Sequence, residues 1–468
     1  MPLDVQQLLQ DHAGENYDLH RDHVNPQFAR VLKTIGYDRC YVRGEGAYLW
    51  DIEGTKYLDM LGGYAVFNMG RNHPDIRRAL TEFLQTDHPS LVQMEAPLLS
   101  GLLARELKSR VAYPLEIVYF TNSGTEGVET AIKFARCATG RPAIVHCDKA
   151  FHGLTTGSLS LNGCESFRTG FEPFLSHCRR IPFNDLDALE TALSQGDVAA
   201  FIVEPVQGKG VNIPAAGYLA QASSLCRQHG ALFVVDEIQT GLGRTGRFLA
   251  TEHDTGAEPD MVILSKALSG GYVPVGAVML RQSIYQRVYS SMERAVVHSS
   301  TFGQGALAMV AGLASLKAMD DENLIHNAER MGNLLGEGLR ALVPRFEFLH
   351  AVRQRGLMIG IQFGRPKSLG LRTGWSLIHK MDTNLFPQAV TIPLLDKHRI
   401  LTQVAGHNTN VVKLIPPLTI TEEDVAWFLS AFESVMVDLH QFPGPVWKVL
   451  KNLGSLAISQ RPRQSTTV

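Results

Sequence analysis

The segment Ala-Leu-Phe-Val-Val-Asp occupies residues 231–236, and the segment Met-Val-Ile-Leu-Ser-Lys occupies residues 261–266. Each is a short apolar run that ends in one charged residue, which is typical of a strand buried on both faces of a parallel sheet. Ligands of open α/β sheets bind outside the carboxyl ends of the strands. We therefore expect the carboxylate of Asp236 and the amine of Lys266 to face one crevice.

This pair of side chains indicates a cofactor. Pyridoxal 5'-phosphate requires a lysine for its Schiff base and an acid for its ring nitrogen. Each residue alone has a commoner explanation, because a lysine after a strand is usually solvated and an aspartate there often caps a helix or turn. The cofactor interpretation gains weight because further segments of the chain fit the same ligand.

Composition is that of an ordinary soluble enzyme. Of the 468 residues, 45% are hydrophobic and 19% are charged, with a formal net charge of -2. This length predicts more than one domain, and the charge favours neither nucleic acid nor an anionic membrane as a partner. No apolar stretch approaches the length of a membrane span, and residues 1–25 lack the apolar core of a signal peptide, so we expect a cytoplasmic protein. The six cysteines show no metal-like spacing, and we expect them to be reduced thiols.

Short apolar runs alternate with helical patterns through the middle of the chain, which predicts an α/β fold with a mainly parallel sheet flanked by helices. The predicted strands are 116–120, 143–147, 199–203, 232–235, 261–264 and 275–280. The predicted helices are 186–193, 219–229, 306–319 and 327–342. A predicted hairpin at 48–59 precedes this region, and a strand pattern at 356–363 follows it.

Two further segments follow predicted strands and fit a phosphate-bearing planar ligand. Ser123, Gly124 and Thr125 open an amphipathic helix, where backbone N–H groups and hydroxyls can bind phosphate. An ordinary helix cap, completed by Glu126, is the alternative. Phe151 could stack on a planar ring or simply pack on the core.

Two polar side chains at strand ends have a less specific meaning. Glu204 and Gln239 could bind cofactor or substrate, or could satisfy buried backbone groups. The glycines at 241–246 match G-x-G-x-x-G, but five residues separate them from the strand and no apolar helix follows, so we do not expect NAD. His20 and His23 have a metal-like spacing without further ligands, so we expect no metal site.

The segments in this order resemble the class III (ω-)aminotransferases, which are pyridoxal-phosphate enzymes of fold type I. The resemblance runs from about residue 44 to residue 432. It rests on the motifs at 123–126, 151–153, 204–208, 236–241, 265–266 and 301–303. It implies a large α/β domain, a smaller α+β domain formed by N- and C-terminal parts, and an obligate homodimer with active sites at the interface.

From the resemblance we assign four regions. Residues 1–60 would pack with the small domain, 61–330 would form the large cofactor-binding domain, 331–440 the small domain and 441–468 a C-terminal extension. Apolar residues with helical spacing at 446–456 predict a helix in that extension, which would dock on its own protein or on a partner or membrane surface.

The resemblance also implies roles for the site residues. Lys266 would form the Schiff base and then move a proton, and Asp236 would keep the ring nitrogen protonated. Ile238 and Phe151 would lie on opposite faces of the ring, and Gln239 would approach its phenolic oxygen. The other residues implied at the cofactor are Ser123, Gly124, Thr125, His152, Glu204 and Thr301. Of these, Gly124 and Thr125 would hold the phosphate, and Thr301 would reach the phosphate of the neighbouring subunit.

Two lysines depart from the family pattern. Many relatives that use α-amino acids and 2-oxoglutarate carry an acidic residue after the Glu-Pro-x-Gln-Gly run, which pairs with an arginine just before a Pro-Pro. This chain has Lys209 and Lys413 at those places. Because arginine binds a carboxylate in a bidentate manner and lysine does not, both lysines become candidate substrate residues.

We therefore expect one substrate to lack an α-carboxylate. A diamine, an aminoaldehyde, or a long-chain or polyketide-derived aldehyde or ketone would fit, with glutamate, alanine or an amine as the amino donor. The alternatives are that both lysines are solvated and that the chain is an ordinary ω-amino acid:2-oxoglutarate aminotransferase. An aminomutase or decarboxylase of the same family also stays open.

Overall fold

The computed structural model describes residues 2–381, 385–406, 409–441, 443–444 and 447. Apart from Trp447, the predicted helix at 446–456 lies outside the described residues. Within the part that is described, no helix is long and apolar enough to cross a membrane.

The strands run through the whole described chain. In order they are β1 (Tyr41–Glu45), β2 (Tyr48–Asp51), β3 (Lys56–Asp59), β4 (Ile117–Thr121), β5 (Ala143–Cys147), β6 (Cys178–Ile181), β7 (Val198–Val203), β8 (Leu232–Asp236), β9 (Met261–Leu264), β10 (Gly276–Leu280), β11 (Leu349–Arg355), β12 (Met358–Phe363), β13 (Ile400–Leu401), β14 (Gln403–Val404) and β15 (Val411–Leu414).

The α-helices connect these strands and cover them. In order they are α1 (Val5–Asp11), α2 (Asn16–Leu19), α3 (Pro26–Thr34), α4 (Gly62–Ala65), α5 (Pro74–Leu84), α6 (Leu98–Ser109), α7 (Gly124–Thr139), α8 (Thr156–Ser160), α9 (Glu165–Arg168), α10 (Leu186–Leu193), α11 (Tyr218–Gln228), α12 (Gln282–Val288), α13 (Ala306–Asp321), α14 (Leu324–Leu342), α15 (Leu369–Met381), α16 (Leu385–Asp396) and α17 (Glu422–His440).

The large sheet has seven strands in the order β4-β10-β9-β8-β7-β5-β6. The pairs from β9 to β6 are parallel, and β10 is antiparallel to both of its neighbours. This confirms the predicted mainly parallel sheet. The six predicted strands are all present, each within one residue at either end. The carboxyl ends of β7, β8 and β9 therefore meet at one edge, where the candidate site residues follow them.

Helices cover both faces of this sheet because its central strands are almost entirely apolar. In β8, Val234 belongs to a core with the α7 residues Val128 and Phe134. Its neighbours Phe233 and Val235 belong to the opposite, larger core. Side chains of a strand alternate between faces, so a run without polar residues requires cover on both sides.

One strand of the large sheet was missed by the sequence prediction. β6 reads Cys-Arg-Arg-Ile and lies at the edge of the sheet, with only its last residue buried. Two arginines in four residues break the apolar run that identified the other strands. An edge strand buries less than a central one, so its sequence carries a weaker signal.

Two smaller sheets complete the fold. One has the order β1-β2-β3-β13, in which Leu58 pairs with Ile400, so it combines residues from the two ends of the chain. The other is antiparallel with the order β11-β12-β15-β14 and packs with α14 and α17. Both features agree with a smaller part built from N- and C-terminal segments, while the domain limits at residues 60, 330 and 440 stay a prediction.

Candidate active site

The predicted aspartate and lysine lie at the ends of adjacent strands. Asp236 ends β8 opposite Ile263 of β9, and Lys266 follows β9 by two residues with a left-handed φ of 44°. Burial lowers the pKa of Lys266, and Lys209 adds to that effect, whereas the charges of Asp236 and Glu204 oppose it. The structure thus brings both residues into one crevice, as the sequence predicts.

Asp236 is held by a buried histidine. His152 Nδ1 lies 2.7 Å from Asp236 Oδ2, and the backbone N–H of Ile238 donates to Oδ1 at 3.1 Å. Burial by itself would lower the pKa of His152, but the hydrogen bond and the charge of Asp236 outweigh it, so the pKa is raised. His152 Nε2 is buried and has no hydrogen-bond partner in the described structure. The aspartate is therefore oriented from two sides.

Glu204 ties two loops of the crevice together. Its carboxylate accepts hydrogen bonds from the backbone N–H of Phe151 at 3.0 Å and of Gly208 at 2.8 Å. Burial, with the charge of Asp236, raises the pKa of Glu204, although His152 opposes the shift. Both oxygens thus bind backbone, the second of the two roles that the sequence left open, and the contact places the Phe151 ring beside the end of β7.

The residues that the sequence predicts to bind phosphate lie at the start of α7. Ser123 caps the helix by accepting from the backbone N–H of Glu126 at 3.3 Å. Glu126 does not complete a capping box, because its carboxylate accepts instead from the Asn122 N–H at 2.8 Å. A Cβ on Gly124 would lie 2.7 Å from Ile238 Cδ1, so only glycine lets the helix start approach the end of β8 this closely.

Hydroxyl groups surround the first turn of this helix. Thr125 Oγ1 lies 2.8 Å from Thr155 Oγ1 and 2.7 Å from Ser158 Oγ. Sequence reasoning missed Thr155 and Ser158, because serines and threonines in a loop carry no positional signal of their own. Together with the free N–H groups of the helix start, these hydroxyls form a donor set suited to a phosphate.

Gln239 and Lys413 contact each other on the other side of the crevice. Lys413 Nζ donates to the carbonyl of Gly208 at 2.9 Å and to Gln239 Oε1 at 3.1 Å, and the Gln239 amide donates to the carbonyl of Tyr64 at 3.2 Å. Burial lowers the pKa of Lys413 to about 7, with further lowering by Lys209. Tyr64 was also missed from the sequence, because only its backbone takes part.

Lys209 lies against aromatic rings. Its Nζ is 5.1 Å from the ring centre of Phe151 and 4.8 Å from that of Phe167, within the range of cation–π attraction. The two rings meet edge to face at 5.5 Å. Burial lowers the pKa of Lys209. The sequence gave no sign of Phe167, which comes from a separate short helix.

Thr301 stands apart from the other predicted residues. It is exposed in a loop whose neighbour Ser300 accepts a hydrogen bond from Asn122 Nδ2 at 2.7 Å. A Cβ on Gly303 would lie 2.7 Å from the carbonyl oxygen of Phe120, so this loop packs closely on the end of β4. Its position is at the surface of the single chain.

The residues present fit pyridoxal phosphate. The buried carboxylate of Asp236, the half-buried Lys266 and the hydroxyl-lined start of α7 supply the groups that the ring nitrogen, the aldehyde and the phosphate require. In the described residues, no group of three or more histidine, cysteine, aspartate or glutamate side chains could hold a metal ion. The fold and the site together fit the pyridoxal-phosphate enzymes of fold type I.

Comparison with known proteins gives the same class. Residues 33–436 match the family model of aminotransferase class-III. The chain therefore belongs to the class III aminotransferase family. It is 34% identical to aminotransferase PigE of Serratia sp. in a match that covers 93% of this chain and 55% of that protein. The chain thus spans about half the length of that relative.

Two solved structures show the same fold. The ornithine aminotransferase of Toxoplasma gondii is 29% identical with a TM-score of 0.81, over 94% of this chain and 100% of that chain. An amine transaminase from an uncultivated Pseudomonas species, solved in its PLP-bound form, is 27% identical with a TM-score of 0.72, over 85% of this chain and 94% of that chain. These likenesses and the family together support pyridoxal phosphate as the cofactor.

Proposed function

We propose that this enzyme transfers an amino group between a donor and an aldehyde, ketone or oxo-acid, and that one of its substrates lacks an α-carboxylate. The observation that carries this proposal is the engagement of Lys413. Its amine is buried and already donates to the carbonyl of Gly208 and to Gln239. A group held in this way has lost the freedom to bind a substrate carboxylate, and it offers no parallel pair of N–H groups.

Lys209 supports the same proposal. In relatives with an acid–arginine pair, the acid at this place masks the arginine when no α-carboxylate is bound. Here Lys209 lies on the rings of Phe151 and Phe167, and its charge lowers the pKa of Lys413 rather than pairing with it. A diamine, an aminoaldehyde, or a long-chain or polyketide-derived carbonyl compound fits a crevice without that switch.

The chemistry divides between the cofactor and the chain. Pyridoxal phosphate, when bound, supplies the electron sink for a carbanion at the amine-bearing carbon. Asp236 holds a proton at the ring nitrogen, and His152 orients the carboxylate that does so. Ile238 and Phe151 position the ring, while Lys266 binds the cofactor and moves a proton at the reacting carbon of the substrate.

The remaining residues act on the two ends of the cofactor. Ser123, Gly124 and Thr125 bind the phosphate at the start of α7. Gln239 follows Asp236 and Ile238 on the same loop, from which its side chain would approach the phenolic oxygen of the ring. Each of these roles follows from position in the crevice and is part of the proposal.

We also propose a homodimer, in which Thr301 reaches the phosphate site of the second copy. Met94 and Met292 are 98% and 91% exposed, and Phe302 and Leu98 are exposed as well. Large exposed apolar side chains of this kind mark an interaction surface.

The six cysteines are all unpaired, which supports a reducing compartment such as the cytoplasm.

A half-reaction spectrum tests the substrate class. Purified holoenzyme is mixed with glutamate, alanine, putrescine or a long-chain amine, one at a time, and the visible band of the bound cofactor is followed. We expect rapid loss of the band with at least one amine that has no α-carboxylate. If the band responds to glutamate and alanine alone, and the acceptor reaction also requires an oxo-acid, the proposal is wrong.

One alternative has a specific observation in its favour. Similar solved structures include the ornithine aminotransferase of T. gondii and an acetylornithine aminotransferase of Elizabethkingia anophelis, the latter 32% identical with a TM-score of 0.68 over 88% of this chain and 98% of that chain. An ordinary ω-amino acid:2-oxoglutarate aminotransferase would agree with those names. Fast conversion by both glutamate and ornithine in the same spectra would favour this alternative.

A further inference from the structure

One lysine joins the small antiparallel sheet to the cofactor edge of the large sheet. Lys413 lies on β15, while its partners Gly208 and Gln239 follow β7 and β8 of the large sheet. The side chain of Lys413 is only 4% exposed. The two sheets are therefore connected at the crevice by a buried amine with two carbonyl acceptors.

The contacts of Lys413 determine how the Gln239 amide is turned. Gln239 Oε1 accepts from Lys413, and Gln239 Nε2 donates to the carbonyl of Tyr64. A lysine ammonium has no acceptor and a backbone carbonyl has no donor, so rotating the amide by half a turn would break both hydrogen bonds. Lys413 and Tyr64 together allow one orientation.

The amide of Gln239 and the peptide of Gly208 present two acceptor oxygens that need a donor between them. A Cβ on Gly208 would lie 2.5 Å from Gln239 Oε1, which shows how close the peptide of Gly208 comes to that oxygen. The carbonyl oxygen of Gly208 and Gln239 Oε1 are both acceptors, and Lys413 donates to both. Without a donor there, the buried carbonyl of Gly208 and the half-buried Gln239 Oε1 would lose their shared partner, which is unfavourable.

The backbone of Gly208 extends this network to the other loops. Its N–H donates to Glu204 Oε1 at 2.8 Å, and the second Glu204 oxygen accepts from the backbone of Phe151. A chain of hydrogen bonds therefore runs from Phe151 through Glu204, Gly208 and Lys413 to Gln239. The members come from the loops after β5, β7 and β8 and from β15, so the position of one depends on the next.

We propose that Lys413 is a positioning residue, which bridges Gly208 and Gln239 and thereby fixes the Gln239 amide in the crevice, instead of a group that binds a substrate carboxylate. This inference rests on the proposed function, which makes the crevice of Asp236 and Lys266 the cofactor site. Its readout is the bound cofactor itself, in the absence of any substrate.

The test compares five variants of the holoenzyme. They are Lys413→Met, Lys413→Arg, Gln239→Leu, the double variant Lys413→Met with Gln239→Leu, and the control Lys317→Met. Lys317 is an exposed lysine of α13 that pairs with Asp321. The pH at which the visible band changes is titrated without substrate, the cofactor dissociation constant is measured by fluorescence, and KM is determined for glutamate and for a long-chain amine.

We expect Lys413→Met and Gln239→Leu to shift the band titration in the same direction, and the double variant to shift it no further. Non-additivity of this kind is the signature of two residues that act through one contact. Lys413→Arg should restore part of the wild-type titration, because a guanidinium can still donate to both oxygens. Lys317→Met should match the wild type, and KM for glutamate and for the amine should change by a similar factor in Lys413→Met.

Two results would overturn the inference. One is a band titration in Lys413→Met that equals the wild type, combined with a KM for glutamate raised about tenfold or more, which would mean a carboxylate-binding lysine. The other is full additivity in the double variant. If Lys413→Met does not fold, Lys413→Arg and Gln239→Leu must still shift the band in one direction. A wild type that reacts with glutamate and alanine alone, and that requires an oxo-acid as acceptor, would remove the proposed substrate class without affecting the band shifts.

Discussion

Asp236 and Lys413 are buried to the same degree, 3% and 4% exposed, yet the molecule treats their charges in opposite ways. The carboxylate of Asp236 lies against the ring of His152, and that contact raises the pKa of the histidine. Lys413 meets two neutral carbonyl oxygens and the cations Lys209 and Lys266, and burial lowers its pKa to about 7. At one end of the crevice the charged form of His152 is favoured, and at the other end the neutral form of Lys413 is favoured.

The difference shows what each end is built for. The carboxylate of Asp236, oriented by His152 and by the backbone of Ile238, is placed to accept a hydrogen bond from the cofactor ring. A lysine that is close to neutral binds carbonyl groups of its own chain and has little attraction for an anionic substrate. Four substitutions test this difference between the two residues, and the one with the greatest expected effect comes first.

The largest effect is expected at Lys266, which lies between the two ends. In Lys266→Ala the Schiff base and the proton transfer are lost together, so kcat should fall by at least about 10³-fold. The visible band of the Schiff base should also fail to form with added pyridoxal phosphate, as measured by absorbance against the free cofactor. Lys317→Ala on α13 should retain both. A Lys266→Ala protein with the band and with normal turnover would refute the assignment.

His152→Asn tests the contact with Asp236, where the charged form of the histidine is favoured. The hydrogen bond to Asp236 would be weakened, so we expect kcat to fall about tenfold or more and stability to fall by about 1–3 kcal/mol. A raised pKa of His152 means that its contribution is complete below the unfolded value of 6.5 and is lost as pH rises through the higher folded value. The stability difference from wild type should therefore be largest at low pH.

Urea unfolding at several pH values between 6 and 9 measures this difference. The control His23→Asn changes an exposed histidine of the N-terminal segment and should leave stability and its pH dependence unchanged. A stability loss in His152→Asn that is the same at every pH would contradict the proposed ion pair.

Lys413→Met tests the site where burial favours the neutral form of the lysine. With its pKa lowered from 10.5 to about 7, Lys413 binds fewer protons in the folded than in the unfolded state between these values. Wild-type stability contributed by this group therefore rises with pH across that window and falls as pH drops toward 7. The charged groups that act on Lys413 are Lys209, Lys266, Glu204 and Arg244.

The methionine variant should gain stability relative to wild type as pH falls from about 10 to 7. Guanidinium unfolding at the two ends of this range, with Lys317→Met beside it, gives the measurement. Parallel stability curves for the wild type and Lys413→Met would show that the lysine keeps its ordinary charge, and the contrast with Asp236 would then disappear.

The smallest effect is expected at Gly124, where the start of α7 packs against Ile238. In Gly124→Ala the new Cβ would lie 2.7 Å from Ile238 Cδ1, and overpacking of this kind costs about 1–3 kcal/mol. Cofactor affinity should fall with it, as measured by fluorescence titration. Gly101 in α6 has open space around its Cβ position, so Gly101→Ala should be neutral or slightly stabilising. Equal behaviour of the two variants would contradict the close packing.

The two ends also differ in how well the sequence predicts them. Asp236, Lys266 and Ser123 each follow a strand by at most two residues, and a parallel sheet brings such positions together. The fold and the cofactor end could be predicted for that reason. The edge strand β6 could not, because its two arginines conceal the strand pattern.

At the substrate end, the contacts join residues far apart in sequence. Lys413 meets Gly208, the Gln239 amide meets the backbone of Tyr64, and Lys209 meets Phe167. No local pattern encodes such pairs, since each depends on how the small sheet sits against the large one. The sequence identified Lys209 and Lys413 as departures from the family, but their partners required the structure.

The pairing of β3 with β13 has a consequence for synthesis of the chain. Leu58 finds its partner Ile400 only after more than three hundred further residues have been made. Until then the exposed edge of β3 is open to pairing with other chains, which is the usual route to aggregation of slow-folding sheets. All seven strands of the large sheet, by contrast, have been made by residue 280, so this sheet can pair its strands well before the first sheet can close.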